Sequence, residues 1–264
     1  MTDLEHLQQV ILIIARDIDN LCKRHHIKYF LLGGSAIGAV RHKGFIPWDD
    51  DLDIVMDNEN YKKFISACRE ELDKEKYYIQ EAFVDWPLGF TKIKLRGTFF
   101  QEPGQYVNDA NECGIFLDVF KLENAPASSL AQRWQYFCAK YLLCYCLLER
   151  GWSEVSGIKK LMMLAAYPIK IPFIRKFLGK QVEKWNTKDT DFRMMWTGRY
   201  RYDKSFYKKE LFEESLYVPF EDMLLPIPKE YDQLLTQIFG DYMTPPPVKE
   251  QLGLHLKGVD FGKY

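Results

Sequence analysis

The 264-residue chain has no surplus of charge of either sign: 36 Lys and Arg stand against 37 Asp and Glu, a formal charge of −1. Nucleic-acid binders usually carry a basic excess, because each phosphate contact needs a cation. No nucleic-acid partner is therefore expected, although a local basic patch stays open. Zinc-type cysteine patterns are also absent. Cys22, Cys68, Cys113, Cys138, Cys144 and Cys146 form no C-x-x-C pair, and none has a His at zinc-finger spacing. Most sit in apolar surroundings, where a free thiol behaves as a small hydrophobe, so a reducing compartment is expected. Long hydrophobic runs are missing: the longest apolar stretch, 134–148, is interrupted by Gln135 and Lys140 and is too short to cross a bilayer. The first residues show neither a basic segment nor a cleavage pattern, so no secretory signal is expected. The expected location is cytoplasmic, with the inner face of a membrane as an open alternative. No internal repeat or low-complexity tract is present.

What the chain does have is aromatic side chains, 15% of all residues, with 16 Tyr, 18 Phe and 6 Trp. Such rings suit the handling of sugars, bases or quaternary amines, and they also suit a large core. At roughly 150 residues per domain the length allows one large domain or two small ones. Helical spacing runs through 4–26, with Leu4, Leu7, Ile11, Ile14, Ile18 and Leu21 on one face. A short strand is expected over 27–32, ending at Gly33-Gly34, then a helix over 35–42, a Pro47 loop, and a strand over 52–56. A helix over 61–72 follows, capped by Asp57 or Asn58, then strands over 77–83, 90–95 and 114–120. Residues 123–129 read as a linker or helix entry. Beyond them the pattern is mainly helical: 130–149, 158–178 with breaks at Pro168 and Pro172, and about 228–239. The expectation is an α/β (α+β) chain with a mixed core over 1–125 and a helical and tail region over 126–264.

The informative stretch is LLGGSAIGAVRHKGFIPWDDDLDIVM, residues 31–56. Asp51 and Asp53 are two apart on an expected strand, so their carboxylates share a face. Two carboxylates on one face repel unless a cation lies between them. Hard oxygen ligands suit Mg²⁺ or Mn²⁺, which complete their shell with water and phosphate. A calcium loop of the EF-hand type does not fit, because Ile54 stands where Gly is needed and Asn60 where Glu is needed. Just upstream, Gly33-Gly34-Ser35 ends a strand and opens a helix, an arrangement that offers backbone N–H groups to an anion. Asp118, alone in the apolar run Gly114 to Phe120, needs a partner if buried; a cation shared with Asp51 and Asp53 would be one.

These three elements together resemble the nucleotidyltransferase superfamily. The string from Gly38 to Met56, GAVRHKGFIPWDDDLDIVM, is more specific and resembles the LicD family of phosphocholine transferases, related to the fukutin proteins. The run Gly-Ile-Phe-Leu-Asp-Val-Phe resembles a second block of that family. Ile227-Pro228, Tyr231, Phe239 to Met243, Pro245-Pro246 and His255 resemble a third, so the likeness covers about residues 30–255. The aromatic–acid block before the last motif is matched only loosely, by Leu211-Phe212-Glu213.

The resemblance implies a minimal nucleotidyltransferase fold, a mixed sheet with flanking helices plus a helical C-terminal addition. It implies transfer of phosphocholine from CDP-choline to a hydroxyl of a cell-surface glycan such as a teichoic acid or lipopolysaccharide, with release of CMP. Asp51, Asp53 and Asp118 would be catalytic and would hold the metal. Gly33, Gly34, Ser35, Arg41, Lys43, Trp48, Lys92 and His255 would bind substrate. Lys92, Lys94 and Arg96 alternate, and so form either a phosphate-facing row or an exposed sheet face. For the choline headgroup, Trp48, Trp86, Trp196, Tyr200 and Tyr242 are candidate rings. The Lys- and Arg-containing segment 158–180, with Lys159, Lys160, Lys170, Arg175, Lys176 and Lys180, reads first as an amphipathic helix packed on the core, and would also suit peripheral contact with a membrane that carries a lipid-linked acceptor. Other readings stay open: a different CDP-activated donor (ribitol, glycerol or ethanolamine), transfer of a nucleoside monophosphate to a small molecule, or a non-catalytic metal-binding protein.

Overall fold

The computed structural model describes residues 1–83, 89–101, 113–149, 164–197, 200–251 and 258–264. Helix α1 (Asp3–Arg24) starts at a capping box in which Thr2 and Glu5 satisfy each other's backbone N–H groups. Its apolar stripe, Leu7, Ile11, Ile14 and Ile18, is wholly buried. At about 1.5–3 kcal/mol per buried side chain, that stripe fixes the helix to the sheet.

Chain order then gives β1 (Phe30–Leu31), α2 (Gly33–His42), β2 (Asp53–Asp57), α3 (Asn58–Glu71), β3 (Tyr77–Gln80), β4 (Thr91–Leu95), β5 (Phe99–Phe100) and β6 (Phe116–Ala125). Asp57 caps α3 by accepting from the Asn60 N–H. Helix α4 (Ser129–Glu149) and helix α5 (Pro172–Glu183) follow, with a short 3₁₀ turn over Tyr167–Lys170 before α5. The remainder holds β7 (Phe192–Met194), β8 (Phe206–Lys208), β9 (Ser215–Phe220), β10 (Met223–Pro228), α6 (Tyr231–Phe239) and β11 (Val259–Asp260).

The main sheet runs β1-β2-β6-β4-β3, and β7 and β8 extend from β6. The β2–β6 pair is parallel, and the other pairs of this sheet are antiparallel. The fold is therefore a mixed α+β sheet with flanking helices. Alternation along β2 sends Ile54 and Met56 into one core, with the α1 stripe, Phe64 of α3, Ile93 and Val119. Val55 goes to the opposite face, against Leu122, Tyr207, Leu234 and Ile238. A third cluster joins α4 and α5 through Cys138, Ala139, Leu142, Leu178 and Val182, with Met194 and Trp196 beside them.

Three local expectations change. β6 continues past Phe120 to Ala125, into the start of the 123–129 segment expected as a linker or helix entry, because β7 pairs with Glu123, Asn124 and Ala125. Helix α2 starts at Gly33 rather than Ser35. The second half also carries strands, including the β9–β10 hairpin whose turn is Glu221-Asp222. The cysteines are free, and all but Cys144 are buried. Burial pushes the Cys22, Cys68 and Cys138 thiols up, Cys138 to about 11, which keeps them protonated.

Candidate active site

A row of polar residues crosses the sheet in register. Asp53 on β2 lies opposite Asp118 on β6, Asp118 opposite Lys92 on β4, and Lys92 opposite Gln80 on β3. Neighbouring strands lie about 4.8 Å apart, so directly opposed residues project side by side from one face. Their chain neighbours Ile54, Val119 and Ile93 point the other way, into the core. Asp118 and Lys92 are both buried, and the Lys92 ammonium donates to Asp118 Oδ1 at 2.9 Å and Oδ2 at 3.2 Å. The same ammonium lies 3.3 Å from the centre of the Phe116 ring.

Asp53 is fixed from both sides. Its N–H donates to the Ser35 hydroxyl at 2.9 Å, and its carbonyl accepts from the Leu32 N–H at 2.9 Å. Strand β2 is thereby tied to the first turn of α2. The Asp53 carboxyl is held well above the ordinary carboxylate range. Burial is the main cause, followed by the negative charges of Asp51, Asp118 and Asp49, with Lys92 acting in the opposite direction.

The glycine pair explains how Asp49 approaches. Gly33 sits at φ +58°, a region that a side chain disfavours. A methyl group on Gly34 would lie 2.5 Å from Asp49 Oδ2, and one on Gly33 would lie 3.7 Å from Asp53 Oδ2. The first turn of α2 therefore faces carboxylates, and a phosphate bound there would need a cation between the two anions. One oxygen each from Asp49, Asp50 and Asp51 falls within 4.8 Å of the others, a group that does not include Asp53 or Asp118. Asp51 lies just before β2 rather than inside it. The donor set as a whole is carboxylate oxygen, with several acids raising Asp53 and one lysine opposing them. Such a set fits a hard divalent cation.

The other expected binding residues spread out. Arg41 is at the far end of α2, about 12 Å along the axis from Gly33. Its guanidinium donates to the Tyr242 carbonyl at 2.7 Å and to His42 at 2.9 Å. Lys43 is exposed in the left-handed region at φ 59°. Trp48 is half-buried and meets His42 edge-on. His255, Trp86, Lys159 and Lys160 lie outside the described residues. Lys94 is as buried as Lys92, which removes the exposed-face reading of these two, while half-buried Arg96 donates to the Tyr77 carbonyl. Of the candidate rings, Trp196 is buried beneath Phe83 and Tyr242 is buried and donates to Asp232. Tyr200 is half-buried and within reach of the Asp53 charge: burial, then that charge, pushes its phenol up to about 12.

Glu221 was not anticipated. Its N–H donates to the Lys43 carbonyl at 2.8 Å, and its carboxylate accepts from the Phe45 N–H at 3.0 Å, pinning the loop that delivers Asp49 to Asp51. The signal was weak: two apolar runs two residues apart suit a hairpin, but Glu-Asp is not the Asn-Gly or Asp-Gly type of turn that marks one. A cavity of about 860 Å³ opens elsewhere, between Lys121 and Glu123 of β6 and the α4–α5 pair. Its lining includes none of Asp49, Asp50, Asp51, Asp53 and Asp118, so size alone does not mark the chemistry.

Residues 26–140 match the family described as LicD/FKTN/FKRP, nucleotidyltransferase domain. A lipopolysaccharide cholinephosphotransferase LicD of Haemophilus influenzae is 28% identical over 264 aligned residues, covering 96% of this chain and 96% of that one. The chain is thus similar to the LicD family, over its first half by domain and along nearly its whole length to this relative. Two uncharacterised proteins, RP689 of Rickettsia prowazekii and RT0683 of Rickettsia typhi, are each 45% identical over 47 residues, 18% of this chain. These short matches cover 18% and 15% of the Rickettsia chains, so they mark a shared segment only. Within the LicD-matched span lie the whole register row, the glycine pair and the Asp49–Asp51 loop.

Proposed function

We propose that this chain is a LicD-family phosphotransferase that moves phosphocholine from CDP-choline to a hydroxyl of a cell-surface glycan, releasing CMP. The observation that carries this reading is the pairing of Asp53 with Asp118 in register, with Asp49 and Asp51 beside them, in a chain similar end to end to a lipopolysaccharide cholinephosphotransferase. Phosphoryl transfer needs positioning and charge stabilisation more than covalent help.

Asp51 and Asp53 would hold Mg²⁺ or Mn²⁺, with Asp49 close by and Asp118 completing the set. When bound, such an ion supplies Lewis-acid neutralisation of diphosphate charge. The protein's own groups do the rest. Asp118 accepts the proton of the attacking sugar hydroxyl, and the Lys92 ammonium holds its carboxylate in place. The Ser35–Asp53 hydrogen bond fixes the strand against α2, and the first turn of α2 presents N–H groups to a phosphate. Tyr200 offers a ring within reach of the Asp53 charge, the pairing of an aromatic face and an acid that a quaternary ammonium favours. The glycan acceptor is read as lipid-carried.

A donor panel tests this. CMP release is measured with CDP-choline, CDP-ethanolamine, CDP-ribitol and CDP-glycerol, each with Mg²⁺ and a glycan acceptor. CDP-choline should be the preferred donor, and Tyr200→Ala should raise its KM about tenfold, in line with a cation–π contact of 1–2 kcal/mol. Preference for another CDP-linked donor would replace the headgroup assignment. Pyrophosphate release from CTP or ATP would favour nucleotidyl transfer instead.

A further inference from the structure

Helix α4 is apolar on two sides. Cys138, Ala139, Leu142 and Cys146 are buried in the third core cluster or at its edge. On the outside, Leu130, Trp134, Phe137 and Tyr141 follow at steps of four, three and four, which places them on one helix face. Leu130 is 78% exposed and Phe137 55%. Trp134 stacks on Phe137 at 5.8 Å, and Phe137 on Tyr141 at 6.1 Å.

Helix α5 carries a matching stripe. Phe173 is 78% exposed, and Phe177, one turn on, is 45% exposed, with exposed Ile171 just ahead of the helix. Trp134 Nε1 donates to Gln181 of α5 at 3.3 Å, which sets the two helices side by side, and the Tyr141 hydroxyl donates to the Ala165 carbonyl ahead of α5 at 3.3 Å. Single exposed apolar side chains are ordinary, but a contiguous aromatic patch on a water-soluble surface signals something that covers it.

The charge around the patch says what. Over 129–149 and 164–183 there are six cationic residues (Arg133, Lys140, Lys170, Arg175, Lys176 and Lys180) against two acids, Glu149 and Glu183. That local balance is +4, in a chain whose total is −1. Arg133, Lys176 and Lys180 are exposed. Among the described residues no helix is long and apolar enough to cross a membrane. Phe, Leu and Trp surrounded by Lys and Arg is the make-up of a face that lies in the headgroup layer, where the rings enter the acyl boundary and the cations meet anionic lipid.

We propose that the outer face of α4 and α5 docks this protein on an anionic lipid bilayer, lying in the interface without spanning it. The inference does not rest on the transferase reading, although docking would bring the acid row to lipid-carried glycans.

The test is co-sedimentation of the full chain with vesicles of phosphatidylcholine alone or with roughly 30 mol% phosphatidylglycerol, an anionic content that adds about 1 kcal/mol per contacting cation. Binding should be more than about tenfold tighter to the anionic vesicles and should weaken with salt. The triple variant Phe137→Ser, Phe173→Ser, Phe177→Ser should weaken binding at least about tenfold while keeping its circular dichroism spectrum and CMP release. Lys176→Glu with Lys180→Glu should remove the preference for anionic vesicles, and covers the case in which the triple variant fails to fold. Failure to bind either vesicle, or binding that both sets of variants leave unchanged, would overturn the proposal. So would a concentration-dependent dimer that the triple variant dissociates and that has no affinity for vesicles, because the face would then be a contact between copies.

Discussion

Asp53 is the residue at which fold and chemistry pull apart. A buried carboxyl among Asp51, Asp118 and Asp49 resists ionisation, so its charge opposes folding until a cation arrives. Asp53→Asn should therefore leave the metal-free chain as stable as before or raise Tm by about 2–4 °C, corresponding to roughly 1 kcal/mol. The sign with pH follows from linkage. The folded form holds this proton more tightly than the unfolded chain, so the contribution is lost as pH rises from about 4 toward the raised native value. The difference in Tm between Asp53→Asn and wild type should widen over that range without Mg²⁺ and shrink with it, which thermal melts in EDTA and in Mg²⁺ would show. Lys92 is the opposite case. Lys92→Met removes the ammonium from a buried carboxylate and should cost about 3–5 kcal/mol, read from urea unfolding. The three aspartates were legible as residue types in apolar surroundings. That Lys92 closes on Asp118 was not, because it depends on which residues two strands 26 positions apart place opposite one another.

Elements carry the site through close backbone approach. Gly38, in the middle of α2, faces the Gly44 carbonyl oxygen and the Ile46 N–H of the returning loop, and a methyl group there would strike backbone that cannot rotate away. Gly38→Ala should therefore push the 44–51 loop off the helix and destabilise by about 1–3 kcal/mol, despite alanine's better helix propensity. Chemical denaturation would measure the cost, and a fall in Mg²⁺ affinity would report displacement of the acidic loop. Periodicity revealed the long elements, such as the α1 stripe and the α3 cap. It missed the run of β6 past Phe120 and the hairpin partner of the loop. Strand extent is set by partners far along the chain: residues 123–125 read as a linker or helix entry until β7 supplies their hydrogen bonds. Glu221 acts through a turn whose residues look like any exposed acids.

For the whole molecule, near-neutral charge and free buried thiols restrict the class of function without choosing one. The choice came from a motif string whose physical content is a glycine turn, an acidic loop and a strand pair that meet at one end of the sheet. The headgroup and acceptor were less legible, since aromatic rings serve cores and cages alike, and only tertiary packing stacks Trp196 on Phe83 and brings Tyr200 within reach of the Asp53 charge. The most direct measurement is CMP release from CDP-choline with Mg²⁺ and glycan acceptor, comparing wild type with Asp53→Asn and Asp118→Asn at saturating donor. Loss of about three powers of ten or more in kcat in both variants, with folding retained, is the result predicted from a shared charge-stabilising centre worth about 4 kcal/mol. Turnover in either variant at the wild-type rate would contradict it.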